Sequence, residues 1–168
     1  MPMQDKTFEQ NFWDDCAKRG LYAAFDKEEY DDIFNRCITD FSDKVTIDIG
    51  CASGVSAALL ASKGANVLGI DISPELIKQA NELWKDFKGN LKFAVDDAEE
   101  LKMPNNSADI CFFGGVIHHF PDKNKTIEEC GRVLKKGGYI LAIEPNYDDY
   151  FQRLNWKKDR KWELTKYS

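Results

Sequence analysis

The chain has no apolar run approaching the roughly 20 residues that a helix needs to cross a bilayer, and Met1-Pro2-Met3-Gln4-Asp5-Lys6 lacks the apolar core of a secretion signal. Neither a membrane span nor a secretory leader is expected, and the location expected is cytoplasmic. The sequence also lacks a long basic run, and its net charge is −6. The electrostatic footprint of a nucleic-acid binder is therefore missing. Histidine is scarce, with two residues, and the five cysteines (Cys16, Cys37, Cys51, Cys111 and Cys130) stand far apart. None has the spacing of zinc ligands, so no metal site is expected, and the thiols read as small apolar residues of a reducing compartment. Repeats and low-complexity segments are absent as well. What is present is ordinary for one globular domain: 168 residues, 43% hydrophobic and 31% charged, enough for a real core.

The most informative stretch is Val45-Thr46-Ile47-Asp48-Ile49-Gly50-Cys51-Ala52-Ser53-Gly54. Val45 to Ile49 is β-branched and apolar apart from Thr46 and Asp48, and reads as a buried strand. Gly50 and Gly54 bracket a tight turn that exposes backbone N–H groups and lets a ligand come close to the main chain. A helix follows from Val55 to Lys63 and ends at Gly64. Asp48, an acid inside an apolar strand, needs a polar partner.

Before this stretch, Thr7 to Arg19 reads as a helix capped by Thr7 and closed by Gly20, and Lys27 to Phe41 as a second helix. After it come a strand over Asn66 to Asp71 and a helix from Pro74 to about Phe87, with Ser73 as its N-cap. Leu91 to Val95 and Ser107 to Phe113 are the third and fourth strands. Lys123 to Leu134 is a helix, Lys135-Lys136-Gly137-Gly138 a turn, and Tyr139 to Glu144 the fifth strand. Strands alternating with helices predict an α/β domain with a parallel sheet and helices on both faces. The aromatic and basic tail, 147–168, suggests a short surface helix over Tyr147 to Leu154.

In such a sheet, ligands sit at the carboxyl ends of the strands. The groups falling there are the Gly50–Gly54 turn with Cys51 and Ala52, then Asp71, Asp97 and Gly114. A carboxylate at Asp71 can accept both hydroxyls of a ribose. Asp97, with Ala98, can meet the amino edge and ring of an adenine. A dinucleotide turn needs a glycine triplet that this turn lacks, because Ala52 replaces the middle glycine and the spacing differs. Asp48 also disfavours a nearby phosphate. A ligand with a ribose, an adenine and a positive centre suits these groups better.

In these features the chain resembles the class I S-adenosylmethionine-dependent methyltransferases, of the UbiE-like small-molecule type, over about Lys44 to Asn146. Asp48-Ile49-Gly50-Cys51-Ala52-Ser53-Gly54 resembles the family's D-x-G-C-G-x-G motif, and Val67 to Ser73 its V-x-G-x-D-x-S motif. Asp96 to Pro104 is similar to G-D-A-E-x-L-P-F. Val116-Ile117-His118-His119-Phe120-Pro121-Asp122 is similar to V-L-H-H-x-x-D. Glu129 with Arg132 to Gly138, and Glu144-Pro145-Asn146, match two further signals. The resemblance implies a Rossmann-like three-layer α/β/α sandwich, mainly parallel, with strand order 3-2-1-4-5. It also implies S-adenosylmethionine as cofactor and S-adenosylhomocysteine as product. The Gly50 turn would contact the methionine end, with Asp48 near its amino group. Asp71 would hold the ribose, Ile72 would lie against the adenine, and Asp97 and Ala98 would meet its edge and ring. Gly114 would offer a carbonyl to the methionine amine, and Tyr22 and Trp13 would cover the cofactor. His118 and His119 are the candidate general bases, with Glu144 as another pocket group.

The family pattern continues past the fifth strand into an antiparallel hairpin, which the residues after Glu144 do not suggest. The chain is therefore read as an N-terminal helical lid (1–43), a cofactor-binding core (44–146) and a tail (147–168) that ends like a truncated one. A homodimer or partner covering the fifth-strand edge is expected. Three functions stay open: methylation of a small-molecule acceptor at O, N or C; a non-catalytic or partner-dependent cofactor-binding subunit; and, weakest, an NAD(P)-dependent oxidoreductase.

Overall fold

The computed structural model describes residues 5–20, 27–37 and 40–144. Among these, five strands form one sheet: β1 (Val45–Ile49), β2 (Asn66–Asp71), β3 (Leu91–Val95), β4 (Ala108–Gly114) and β5 (Leu134–Ile143). All neighbouring pairs are parallel, and the order is β3-β2-β1-β4-β5. Helices α1 (Lys6–Lys18), α2 (Lys27–Cys37), α3 (Val55–Ser62), α4 (Pro74–Leu83) and α5 (Lys123–Val133) complete the described chain. The parallel sheet and its order are those expected.

Alternation along the central strands divides the core in two. Ile110 and Phe112 of β4 pack with Tyr30, Phe34 and Leu60 on one face. Ile47 and Ile49 of β1 pack with Cys111, Phe113, Cys130 and Val133 on the other. With both faces covered, β1 and β4 are buried along most of their length, as central parallel strands are. The strand order reverses between β1 and β4, which makes their carboxyl ends the natural crevice of the fold.

Local details depart from expectation where a distant contact intervenes. The N-cap of α1 is Asp5, whose carboxylate accepts from the Thr7 N–H, so Thr7 lies inside the helix. Helix α4 stops at Leu83, because Trp84 turns away to donate its indole N–H to the Ser53 carbonyl. Lys135 to Gly138 is not a turn before β5. Leu134 already pairs with Ala108, and the register resumes at Ile110–Tyr139, so those four residues bulge inside the strand. Lys135 holds the bulge through its ion pair with Asp109. Residues 38–39 at the end of the expected second helix, the 21–25 connector with Tyr22, and the tail beyond Glu144 lie outside the described residues. Among the described residues no helix is long and apolar enough to cross a membrane.

Candidate functional site

The glycine turn is built from its own hydrogen bonds. Gly50 and Cys51 both donate their N–H groups to the Ile70 carbonyl, at 2.8 and 2.9 Å, and Gly54 donates to Cys51. The Ala52 N–H goes to the Asp71 carboxylate at 3.0 Å. The expectation that this turn offers its N–H groups to a ligand is therefore corrected: four of them are satisfied internally, which leaves a poor cradle for phosphate. Left-handed φ values at Gly50 (72°), Ala52 (47°) and Gly54 (82°) make the bend possible. At Ala52 the family's glycine would relieve a strained alanine.

Two buried acids stand behind the turn. Asp48 accepts from the Ser56 hydroxyl at 2.6 Å and from the Ala57 N–H, so it caps α3 from the neighbouring strand. Burial, with the nearby Asp71 charge, pushes it up to about 7 despite those bonds. Asp71 bridges two backbones, one oxygen taking the Ala52 N–H and the other the Ser73 N–H at 2.9 Å. Burial pushes it up to about 6, and Asp14 adds to this. Asp14, from α1, accepts from the Ser73 hydroxyl and the Glu75 N–H.

The Asp48 shift has a direct consequence. The folded protein holds this proton to about pH 7, the unfolded chain only to about 4. The contribution of Asp48 to stability is therefore greatest below about pH 4 and falls as pH rises to about 7, by up to about 4 kcal/mol. In Asp48→Asn the charge is gone. The Ser56 hydroxyl can turn round and accept from the amide, so both neighbours stay bonded. Thermal melts should show the variant more stable than the parent at pH 8, with the difference gone by pH 4. Parallel curves across that range would contradict the buried-charge account.

Further along the strand ends, Asp97 accepts from Lys6 at 2.6 Å and from the Glu99 N–H at 2.9 Å. The same Lys6 ammonium reaches Glu99 at 2.7 Å. Burial pulls Lys6 down, but these two carboxylates outweigh it and raise it. Ile72 and Ala98 are half-buried beside these acids. The 96–106 loop is locked from behind by Arg132, which donates to the Leu101 and Met103 carbonyls, Asn105 and Glu129.

At the end of β4, Gly114 is buried, and a side chain there would meet the Tyr30 hydroxyl at 3.0 Å. His118 and His119 lie in a 3-10 turn, Ile117–His119. Glu144 organises that turn, accepting from the Val116 and Ile117 N–H groups, both at 2.9 Å, and facing His118 Nδ1 at 3.1 Å. Burial pushes Glu144 up, but the His118 bond and the backbone donors win and hold it below the usual range. His119 instead meets α1, with its ring edge-on to Trp13 at 5.0 Å.

The structure thus gathers Asp48, the glycine turn, Asp71 and Asp97 along one strand-end crevice, with the histidines beyond β4. Sequence reasoning missed Ser56, Asp14, Lys6 and Glu9. Only Ser56, eight residues after Asp48, was within reach of a local pattern; Lys6 and Asp97 are 91 residues apart.

A model of the methyltransferase-domain family matches residues 47–142. A 2-methyl-6-phytyl-1,4-hydroquinone methyltransferase from Synechocystis sp. is 41% identical over 115 residues, covering 67% of this chain and 36% of that protein. The ubiquinone/menaquinone biosynthesis C-methyltransferase UbiE of Rickettsia bellii is 37% identical over 121 residues, covering 67% and 48%. The chain thus spans less than half the length of these curated relatives. The structure of the YcgJ protein from Bacillus subtilis superposes with a TM-score of 0.66 at 25% identity, covering 79% of this chain and 60% of that one. With more than half of its residues inside the matched region, from β1 into β5, the chain belongs to the methyltransferase-domain family.

Proposed function

We propose that this domain binds S-adenosylmethionine and transfers its methyl group to a small-molecule acceptor, releasing S-adenosylhomocysteine. The observation that carries the reading is the pairing of two buried acids, Asp48 and Asp71, with a turn whose N–H groups are already bonded. Such a site repels phosphate and favours a cation beside a ribose, which fits this cofactor and not a dinucleotide. Asp71 takes backbone N–H groups from Ala52, Ser73 and Ile72, and a carboxylate has about four acceptor positions, so it can still accept from a ribose hydroxyl. In this reading Asp97 takes the adenine amino group, Ile72 and Ala98 flank the ring, and Cys51, Ala52 and Gly54 shape the methionine end. Asp48 and the Gly114 carbonyl face the ammonium group. Helix α1 covers the crevice with Trp13 over the cofactor; Tyr22, the other residue expected there, lies outside the described residues.

The cofactor supplies an electrophilic methyl on a good neutral leaving group, so the protein's main task is alignment. His119, with His118 as the other candidate, takes the acceptor's proton where the acceptor is a hydroxyl. The hydroquinone in the name of the Synechocystis relative makes a hydroquinone the first acceptor to test. The reading carries a cytoplasmic location. It also places a second copy or a partner against β5, where Tyr139 and Ile140 are exposed.

The exposed Tyr139 and Ile140 on β5 favour one alternative, a cofactor-binding unit that needs a partner for turnover. Calorimetry decides the cofactor: S-adenosylhomocysteine should bind and NAD should not. The reverse result would return the chain to the oxidoreductases. Binding without methyl transfer to a panel of hydroquinones and other small acceptors would select the partner-dependent alternative.

A further inference from the structure

Helix α1 does more than cover the crevice. It carries Glu9 and Trp13 one turn apart, on the side facing the 3-10 turn after β4. Glu9 is buried, with 4% of its surface exposed, although it is a carboxylate on the N-terminal helix. Its Oε2 stands 3.9 Å from His119 Nδ1, and both side chains are largely shielded, at 5% and 16% exposure. Trp13 sets its ring at 90° to the imidazole. His118 lies against the other side of His119, with ring centroids 4.0 Å apart, and is itself bonded to Glu144. Two shielded side chains of complementary chemistry, from α1 and from the turn after β4, thus face each other across the strand ends.

We propose that Glu9 is a positioning residue for His119, and that the two form the acid–base pair that receives the proton of a hydroxyl or phenolic methyl acceptor. The inference rests on the methyltransferase reading above. A carboxylate facing Nδ1 favours the tautomer protonated there, which leaves Nε2 as the basic nitrogen. As the acceptor oxygen forms its bond to the methyl carbon, its proton passes to Nε2, and the electron pair of the breaking carbon–sulfur bond stays on sulfur. The positive charge lost from sulfur thus reappears as imidazolium, next to Glu9. Trp13 keeps the ring from rotating away. The charged or titratable groups that the described residues place against His119 are Glu9 from α1, His118 from its own turn and, behind His118, Glu144 just after β5.

With only two histidines in the sequence, proton NMR reads the pair directly. In Glu9→Gln the His119 midpoint should fall by about one unit or more, as expected when an opposite charge at this distance is removed. A His118→Gln variant assigns the two signals. Glu9→Asp, which keeps the charge but shortens its reach, should give an intermediate shift, and serves as the test if the glutamine variant does not fold. In methyl transfer to a hydroquinone, the acidic limb of kcat should move down with the NMR midpoint. An unmoved His119 midpoint in a folded Glu9 variant would overturn the pairing. Loss of turnover in His119→Ala with an unmoved limb in Glu9→Gln would overturn the positioning role alone. Full turnover in His119→Ala would remove the base from the reading of the function as well.

Discussion

Asp71→Asn should weaken S-adenosylhomocysteine binding by at least about 100-fold, although the substitution changes only one oxygen to an amide nitrogen. Asp71 is used on both sides at once. One oxygen takes the Ala52 N–H and the other the Ser73 N–H, and each is a donor fixed in the backbone. Asparagine can satisfy one of them, but its NH2 must then face the other, donor against donor. Unlike Ser56 beside Asp48, a backbone N–H cannot turn round and accept. The turn and the β2 end therefore move apart where the ribose is to be held. The backbone bonds exist with or without ligand, so the affinity lost is that of the ribose hydroxyls on a charged acceptor: about 1.5–3 kcal/mol per bond, at about 1.4 kcal/mol per tenfold. Calorimetry at pH 8 checks this. An affinity within threefold of the parent would take Asp71 out of the site.

Gly54→Ala should cost the fold about 2–4 kcal/mol and abolish cofactor binding together with it. Two effects add. The residue sits at φ 82°, where a Cβ is strained. That Cβ would also lie 2.4 Å from the tip of the Phe93 ring and 3.2 Å from Trp84. Phe93 cannot swing clear cheaply, because the same ring already fills the space over Gly69, within 2.7 Å of where a side chain there would begin. The cost combines backbone strain of about 1 kcal/mol or more with overpacking of about 1–3 kcal/mol. Gly137 separates the two effects: its φ is 85°, yet nothing lies within 4 Å of its added Cβ. Gly137→Ala should lose only the strain. Denaturant melts of the two variants give the comparison, and equal losses would mean that the Phe93 contact yields freely.

Several features were legible from local chemistry. The central strand and its glycine bend showed in Val45 to Gly54. The α4 start showed in Ser73-Pro74, and the structure confirms Ser73 as its cap, accepting from Leu76. The alternation of strands with helices pointed to the parallel sheet. The errors came where a side chain from elsewhere decided the outcome. Trp84 ends α4 by reaching the glycine turn. Asp5, not Thr7, caps α1. Lys135 and Asp109 make the expected turn between helix and strand a bulge within β5.

For this protein, the sequence by itself determined the order of elements, the glycine positions and the acids that end β1 and β2. These follow from backbone propensity and from which side chains a buried strand tolerates, both properties of neighbouring residues. Tertiary structure alone decided how those acids are used. Asp48 became a helix cap, Asp71 a brace between two backbones, Asp97 the partner of Lys6, and His119 the neighbour of Glu9. The reason is that a carboxylate's charge and bonding depend on what surrounds it in space. For Asp97 and His119 those surroundings come from α1, far away in the chain.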